Sequence, residues 1–109
     1  MERFCLALDL VDDPALIAEY EAIHKNIWPE IKKSIQDSGI TVMDIYRFSN
    51  RLFMIMEVDE TFSAERKAAM DASDPIVQKW EQYMWKFQQA ISGAQPGEKW
   101  VMMKQIFSL

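Results

Sequence analysis

The 109-residue chain has one cysteine, one histidine and three glycines, and each scarcity removes a class of protein. A lone Cys5 cannot close an internal disulfide. It sits in an apolar run, which reads as an inert core thiol and suits a reducing compartment. One histidine and one cysteine cannot build an ordinary zinc site, and no clustered acidic spacing supports a site made of carboxylates alone. With so little glycine there is no P-loop, no Gly-x-Gly-x-x-Gly turn and no Gly-x-Ser-x-Gly elbow. No apolar run approaches the ~18 residues that would span a membrane. The N-terminus, Met-Glu-Arg-Phe-Cys-Leu, is charged at once and does not read as a signal peptide. Positive charge is also short: 12 Lys and Arg face 17 Asp and Glu, a net charge of −5. The cations are scattered, so neither a nucleic-acid footprint nor a basic membrane-surface helix is present. The expectation is a cytoplasmic protein that works without metal or other cofactor, nucleic acid or membrane.

What is present is an ordinary globular balance, 50% hydrophobic and 27% charged. The length suits one domain, residues 1–109. Such a domain buries about two-thirds of the surface its unfolded chain would expose, enough for one core. Four Trp, three Tyr, six Phe and eight Met are many for this size. Side chains so large suit a buried pocket or an oligomer interface.

Residues 3–10 alternate as a strand, with Phe4, Leu6, Leu8 and Leu10 on one face. Asp12-Asp13-Pro14 is a cap followed by a first-turn proline and starts a helix from Pro14 to about Asn26. At roughly 100° per residue, Leu16, Tyr20, Ile23, His24 and Ile27 share its inward stripe. Pro29 interrupts and restarts the helix, which runs to about Ser38 and closes at Gly39. Strands follow at 40–49 and 52–58 around an Asn50-Arg51 turn. The second of these is apolar on both faces except at Glu57, so a central strand with both faces covered is predicted. A weaker helix spans 61–72. Ser73-Asp74-Pro75 then repeats the cap-and-proline signal and opens a long helix to about Ile91. A last strand is predicted over 100–107.

With each helix pair as one crossover the order is β-α-β-β-α-β, the ferredoxin-like α+β pattern. Its helices cover one sheet face. The plainest cover for the other is a second copy, giving a homodimeric α/β barrel.

Few residues can carry chemistry. Tyr20 and His24 are neighbours one helical turn apart. His24 is either a partly buried, satisfied histidine or a general acid/base oriented by a phenol. Trp80 is core or a platform for the apolar face of a sugar. Trp28 is most simply a core wedge, and Trp85, on the outer stripe, is exposed or part of an interface or lid. Glu57 is a solvated strand end or a pocket carboxylate paired with His24 or a substrate hydroxyl. Met43, Met54 and Met56 read as core.

The block Glu19-Tyr20-x-x-x-His24-x-x-Ile27-Trp28-Pro29-Glu30 resembles the L-rhamnose mutarotases. So do Gly39, Ile45-Tyr46, Asn50-x-Leu52-Phe53, Glu57 and Lys79-Trp80-x-x-Tyr83-Met84, and the likeness runs from residue 3 to 107. The resemblance implies a cytoplasmic, cofactor-free ferredoxin-like dimer that interconverts the anomers of a 6-deoxy-L-hexose. It makes His24 the proton donor, Tyr20 a sugar-binding tyrosine and Trp80 the first of two sugar-binding tryptophans. Departures from the family pattern fall on the substrate side. The second tryptophan is Glu81 here, a sugar-binding tyrosine is Met43, and the loop Ser92–Lys99 is not of the family's usual type. These changes put L-fucose beside L-rhamnose as the expected sugar. Glu57 or a water is the expected second proton-transfer partner. The other readings of such a fold are a cofactor-free or haem-degrading monooxygenase, and a sugar-binding module without catalysis.

Overall fold

The computed structural model describes residues 2–109. Its elements are β1 (Glu2–Leu10), α1 (Pro14–His24), α2 (Pro29–Asp37), β2 (Ile40–Phe48), β3 (Arg51–Val58), α3 (Ala64–Ser73), α4 (Pro75–Trp85), β4 (Gln88–Gln89) and β5 (Val101–Met102). The strands form one antiparallel sheet in the order β2-β3-β1-β4, and β5 also pairs with β1. This is the ferredoxin-like arrangement, with β3 inside the sheet as its apolar run requires.

The helix starts follow from local chemistry. Asp13 accepts from the backbone N–H groups of Ala15 (2.9 Å) and Leu16 (3.2 Å), and Asp74 does the same for Ile76 and Val77. Each cap is followed by a proline whose missing N–H and fixed φ suit the first turn. Ser63 caps α3 through the Arg66 N–H.

Pairing puts Leu6 opposite Met54 and Leu8 opposite Leu52, so these side chains share one face. The helices pack there. Leu10, Tyr20, Leu52, Met84 and Phe87 form one core cluster, and Ile40, Met54, Met56 and Val58 the other. On the opposite face Arg3, Cys5, Phe53 and Glu57 meet the tail, Met103–Ser108, around a cavity of about 740 Å³.

Several boundaries differ from the sequence-based expectation by one to three residues, α3 among them (Ala64–Ser73 against 61–72), and three differences have a structural cause. The β2–β3 turn is Ser49-Asn50, not Asn50-Arg51, and Ser49 takes the left-handed conformation (φ 54°). Asn50 is bound to the end of β1 by Nδ2–H to the Leu10 carbonyl and by its own carbonyl to the Leu10 N–H. Helix α4 stops at Trp85 rather than near Ile91, because the free edge of β1 recruits the chain. The Val11 N–H donates to the Phe87 carbonyl (2.8 Å), and Gln88 and Gln89 pair with Leu10 and Asp9. The last strand is only Val101–Met102. After the Met103 N–H bonds the Cys5 carbonyl, the chain leaves the edge, with Ile106 and Phe107 exposed.

Gly39 ends α2 at φ +97°, and a Cβ there would lie 2.7 Å from Thr61 Oγ1, 2.8 Å from Asp59 Oδ1 and 2.9 Å from the Phe62 backbone nitrogen. Gly93 has nearly the same φ (+96°) with nothing within 4 Å. The left-handed conformation alone costs a side chain about 1–2 kcal/mol. Urea denaturation of Gly39→Ala is therefore expected to show that loss plus a steric loss, while Gly93→Ala shows the conformational loss only. Equal destabilisation would disprove the close approach.

Candidate functional site

Between the helices and the sheet lies a cavity of about 710 Å³. It falls within the ~300–1,000 Å³ range of small-molecule sites. Its floor is apolar, built by Leu6 of β1, Met43 and Ile45 of β2, and Met54 and Met56 of β3. Every element around it contributes something different.

From α1 come Tyr20 and His24, one turn apart and both facing the cavity. Their rings stack with centroids 4.1 Å apart. The His24 Nδ1 lies 2.8 Å from the Tyr20 carbonyl oxygen, which can only accept, so Nδ1 carries the proton. In the neutral ring Nε2 then has a free lone pair. Burial lowers the His24 pKa below its ordinary 6.5, and the backbone hydrogen bond only partly opposes that. Near neutral pH the residue is therefore an uncharged base. Tyr20 is almost fully buried, and burial raises its pKa against the lowering effect of the neighbouring Gln88 side chain. The phenol keeps its proton and remains a donor.

From α4 come Trp80 and Glu81. The Trp80 ring lies 5.8 Å from His24 and meets Trp28 edge-on at 5.0 Å. Trp28 in turn stacks on Tyr83 (6.0 Å, 9° between planes). Trp28 is thus the wedge its sequence position suggested. Pro29 begins α2 immediately after it, so the indole is held against α4 at a helix boundary. The Glu81 carbonyl accepts from Lys99 Nζ at 2.9 Å, and that ammonium also sits over the Trp85 ring, 4.8 Å from its centroid. Burial lowers the Lys99 pKa, opposed by the charge of Glu81. Trp85 remains partly exposed, under a cation rather than over the cavity.

The cavity gathers Tyr20, His24, Met43, Trp80 and Glu81 among the residues singled out from sequence. It does not include Glu57. Side chains alternate along β3, so with Met56 facing the cavity Glu57 faces the other way. There it lines the opposite cavity and meets Arg3 Nη2 at 3.5 Å. The expected pairing of Glu57 with His24 or a substrate in this cavity is not what the fold places there.

Several wall residues escaped the sequence reading. Lys67 and Asp71 of α3 form a 2.8 Å ion pair, the one pair among the described residues with both partners in this wall. The Gln78 side chain donates to the Asp71 carbonyl and ties α3 to α4. Their i, i+4 spacing was visible, but a pair on a weak helical pattern looks like any solvated face. Gln88 was hidden by the helix expected to run through it. Among the described residues no group of three or more His, Cys, Asp or Glu side chains could hold a metal ion.

A family model described as L-rhamnose mutarotase matches residues 3–109. The L-fucose mutarotase of Xanthomonas campestris pv. campestris is 49% identical over 100% of this chain and 89% of its own. The L-rhamnose mutarotase of Phocaeicola vulgatus is 38% identical over 65% of this chain and 66% of its own. Among solved structures, the L-rhamnose mutarotase of Formosa agariphila superposes with a TM-score of 0.74 at 21% identity, covering 100% of this chain and 99% of that one. A tetracenomycin F2 cyclase from Streptomyces glaucescens superposes at 0.63 with 18% identity over 100% and 97%. The two superpositions show a shared fold.

His24 is expected to titrate below 6.5 when followed through its ring proton resonances. Because its folded pKa is lowered, the folded state binds fewer protons than the unfolded chain as pH falls from 6.5 through that pKa. Stability attributable to His24 is complete above 6.5 and is lost across that window. Melting temperatures of wild type and His24→Gln should converge as pH falls through it. A difference independent of pH would show that the imidazole is not desolvated.

Proposed function

The chain belongs to the L-rhamnose mutarotase family of sugar isomerases, and we propose that it interconverts the α and β anomers of L-fucose through His24. The observation that carries this reading is the neutral imidazole with its free Nε2 inside a cavity of sugar size. The choice of sugar rests on the 49% identity to an L-fucose mutarotase over the whole chain. L-Rhamnose is the competing substrate.

Ring opening moves one proton from the anomeric hydroxyl O1 to the ring oxygen O5. The O1–H bond breaks, C1=O1 forms, C1–O5 breaks and O5 gains a hydrogen. Both oxygens are bonded to C1, so a single imidazole can serve both. Nε2 takes the O1 proton and, as the C–O bond breaks, returns it to O5. The Nδ1–H to the Tyr20 carbonyl holds the ring in the required tautomer and strengthens as positive charge develops. Rotation of the aldehyde about C1–C2 and reclosure, with the same transfers reversed, gives the other anomer. No second carboxylate is needed, which removes the demand once placed on Glu57. Tyr20 donates to a sugar oxygen, the Trp80 indole faces the apolar side of the ring, and the methionine floor accepts the 6-methyl group. Met43 and Glu81 stand where the family usually has aromatic sugar contacts, and they set which hydroxyls are read.

The working form is a cytoplasmic homodimer. Exposed Tyr46, Phe48, Ile106 and Phe107 offer apolar surface to a second copy. The reduced single thiol suits that compartment. Light scattering should give about twice the 12.8 kDa chain mass, and a monomer at micromolar concentration would reject the dimer.

Saturation-transfer NMR at anomeric equilibrium tests the reaction. Wild type should accelerate exchange of L-fucose more than of L-rhamnose. His24→Ala should lose about 10²–10⁴-fold, the usual worth of one acid/base. No acceleration of either sugar would defeat the mutarotase reading, and a faster L-rhamnose exchange would reverse the sugar assignment. The rate should be level above pH 6.5 and fall as His24 protonates below it. A rate rising into acid would mean that the imidazolium starts the reaction.

A further inference from the structure

We propose that Gln88 is a substrate-binding residue, its carboxamide oxygen accepting a hydrogen bond from a sugar hydroxyl next to the reacting carbon while the Tyr20 phenol donates in the same grip. This deepens the mutarotase reading and rests on it.

Gln88 is 7% exposed, and its Oε1 is a buried side-chain oxygen with no hydrogen-bond partner among the described residues. A buried acceptor left unpaired loses its hydration for nothing, so native proteins rarely keep one without a use. A leucine or methionine of similar size would fill the same space without that cost. The backbone at this point is not free to relieve it. Gln88 is paired with Leu10 in the sheet, and the residue before it, Phe87, is fully buried. The side chain is thus held at the wall of the cavity that contains His24 and Tyr20.

Its neighbour completes the argument. The Gln88 side chain shares the cavity wall with the Tyr20 phenol and acts on it in the sense that lowers its pKa, as an amide N–H turned toward the phenol oxygen does. Two valences remain: the phenol hydrogen, a donor, and Gln88 Oε1, an acceptor. A sugar hydroxyl is both acceptor and donor and answers either. Tyr20 stacks on His24 at 4.1 Å, so a hydroxyl held here belongs to the reacting end of the sugar. The carbon beside C1 carries such a hydroxyl.

The test pairs a variant with substrates that lack one hydroxyl. Exchange rates of L-fucose and its 2-, 3- and 4-deoxy analogues are measured for wild type and Gln88→Met. Against L-fucose the variant should lose roughly 10- to 100-fold in kcat/KM, the usual penalty for an unpaired hydroxyl. Against the 2-deoxy sugar it should lose almost nothing, because the partner is already gone. An equal loss on all four sugars, as a folding defect or a displaced Tyr20 would give, overturns the proposal, and so does full activity on all four. The wild-type protein supplies a readout that does not depend on the variant folding. The Gln88 side-chain amide resonances should shift on titration with L-fucose and not with the 2-deoxy sugar. If they respond identically to both, the proposal fails. Wild type without exchange activity on any sugar defeats the mutarotase reading itself, whereas an active wild type with an indifferent Gln88 defeats this inference alone.

Discussion

The site depends on one hydrogen bond, from His24 Nδ1 to the carbonyl of Tyr20 one turn earlier. A backbone carbonyl inside a helix cannot move without the helix, and it cannot donate. The bond therefore sets three things together: which nitrogen holds the proton, where the other one points, and the angle between the two rings. The Tyr20 ring is in turn fixed by burial against Phe87. Phe87 is fixed because the chain beyond α4 is pulled into the sheet beside β1. The imidazole is thus linked to the sheet through two aromatic side chains, Tyr20 on α1 and Phe87 in the two-residue turn between α4 and β4. A side chain held on a helix keeps its position better than one held on a loop.

The cavity divides its labour by surface. Strands β1, β2 and β3 provide apolar contact only, and the polar groups come from the helices, from Gln88 of the short strand β4 and from Lys99. The aromatic chain Trp28–Trp80–Tyr83–Phe87 runs beneath α4 and fills the space between α2 and the core. Polar atoms placed on one side and methyl and thioether groups on the other suit a molecule that is itself two-faced. A 6-deoxy pyranose, with hydroxyls on its edge and a methyl at one corner, is of that kind.

Much of this was legible in the sequence because it was written in local rules. Asp13-Pro14 and Asp74-Pro75 announce helix starts that need no tertiary information, and both occur as read. The 3.6-residue period alone places Tyr20 and His24 on one inward stripe. Alternation along β3 even contained the answer for Glu57, since Met56 and Glu57 cannot face the same way; the oddity of a carboxylate in an apolar strand outweighed it. What was not legible depended on partners distant in sequence. The apolar stripe of α4 continues through Phe87 to Ile91, and no glycine or proline stops it before Gly93. The helix ends because an unpaired edge of β1 competes for the same backbone groups, and a residue pattern carries no record of that competition. The loss of Gln88 from the sequence reading and the misplaced end of α4 are the same event.

Met43, Met54 and Met56 form much of the cavity floor. Methionine is unbranched, turns about three bonds and offers a polarisable sulfur, so it fits many shapes at little cost. A floor of this kind accepts a substituent in a new position by changing rotamers, with the backbone unmoved. Selection acting on this fold can then change the preferred sugar by altering one or two polar wall residues, leaving His24 and the sheet as they are. Pliability in the floor is what makes the site evolvable.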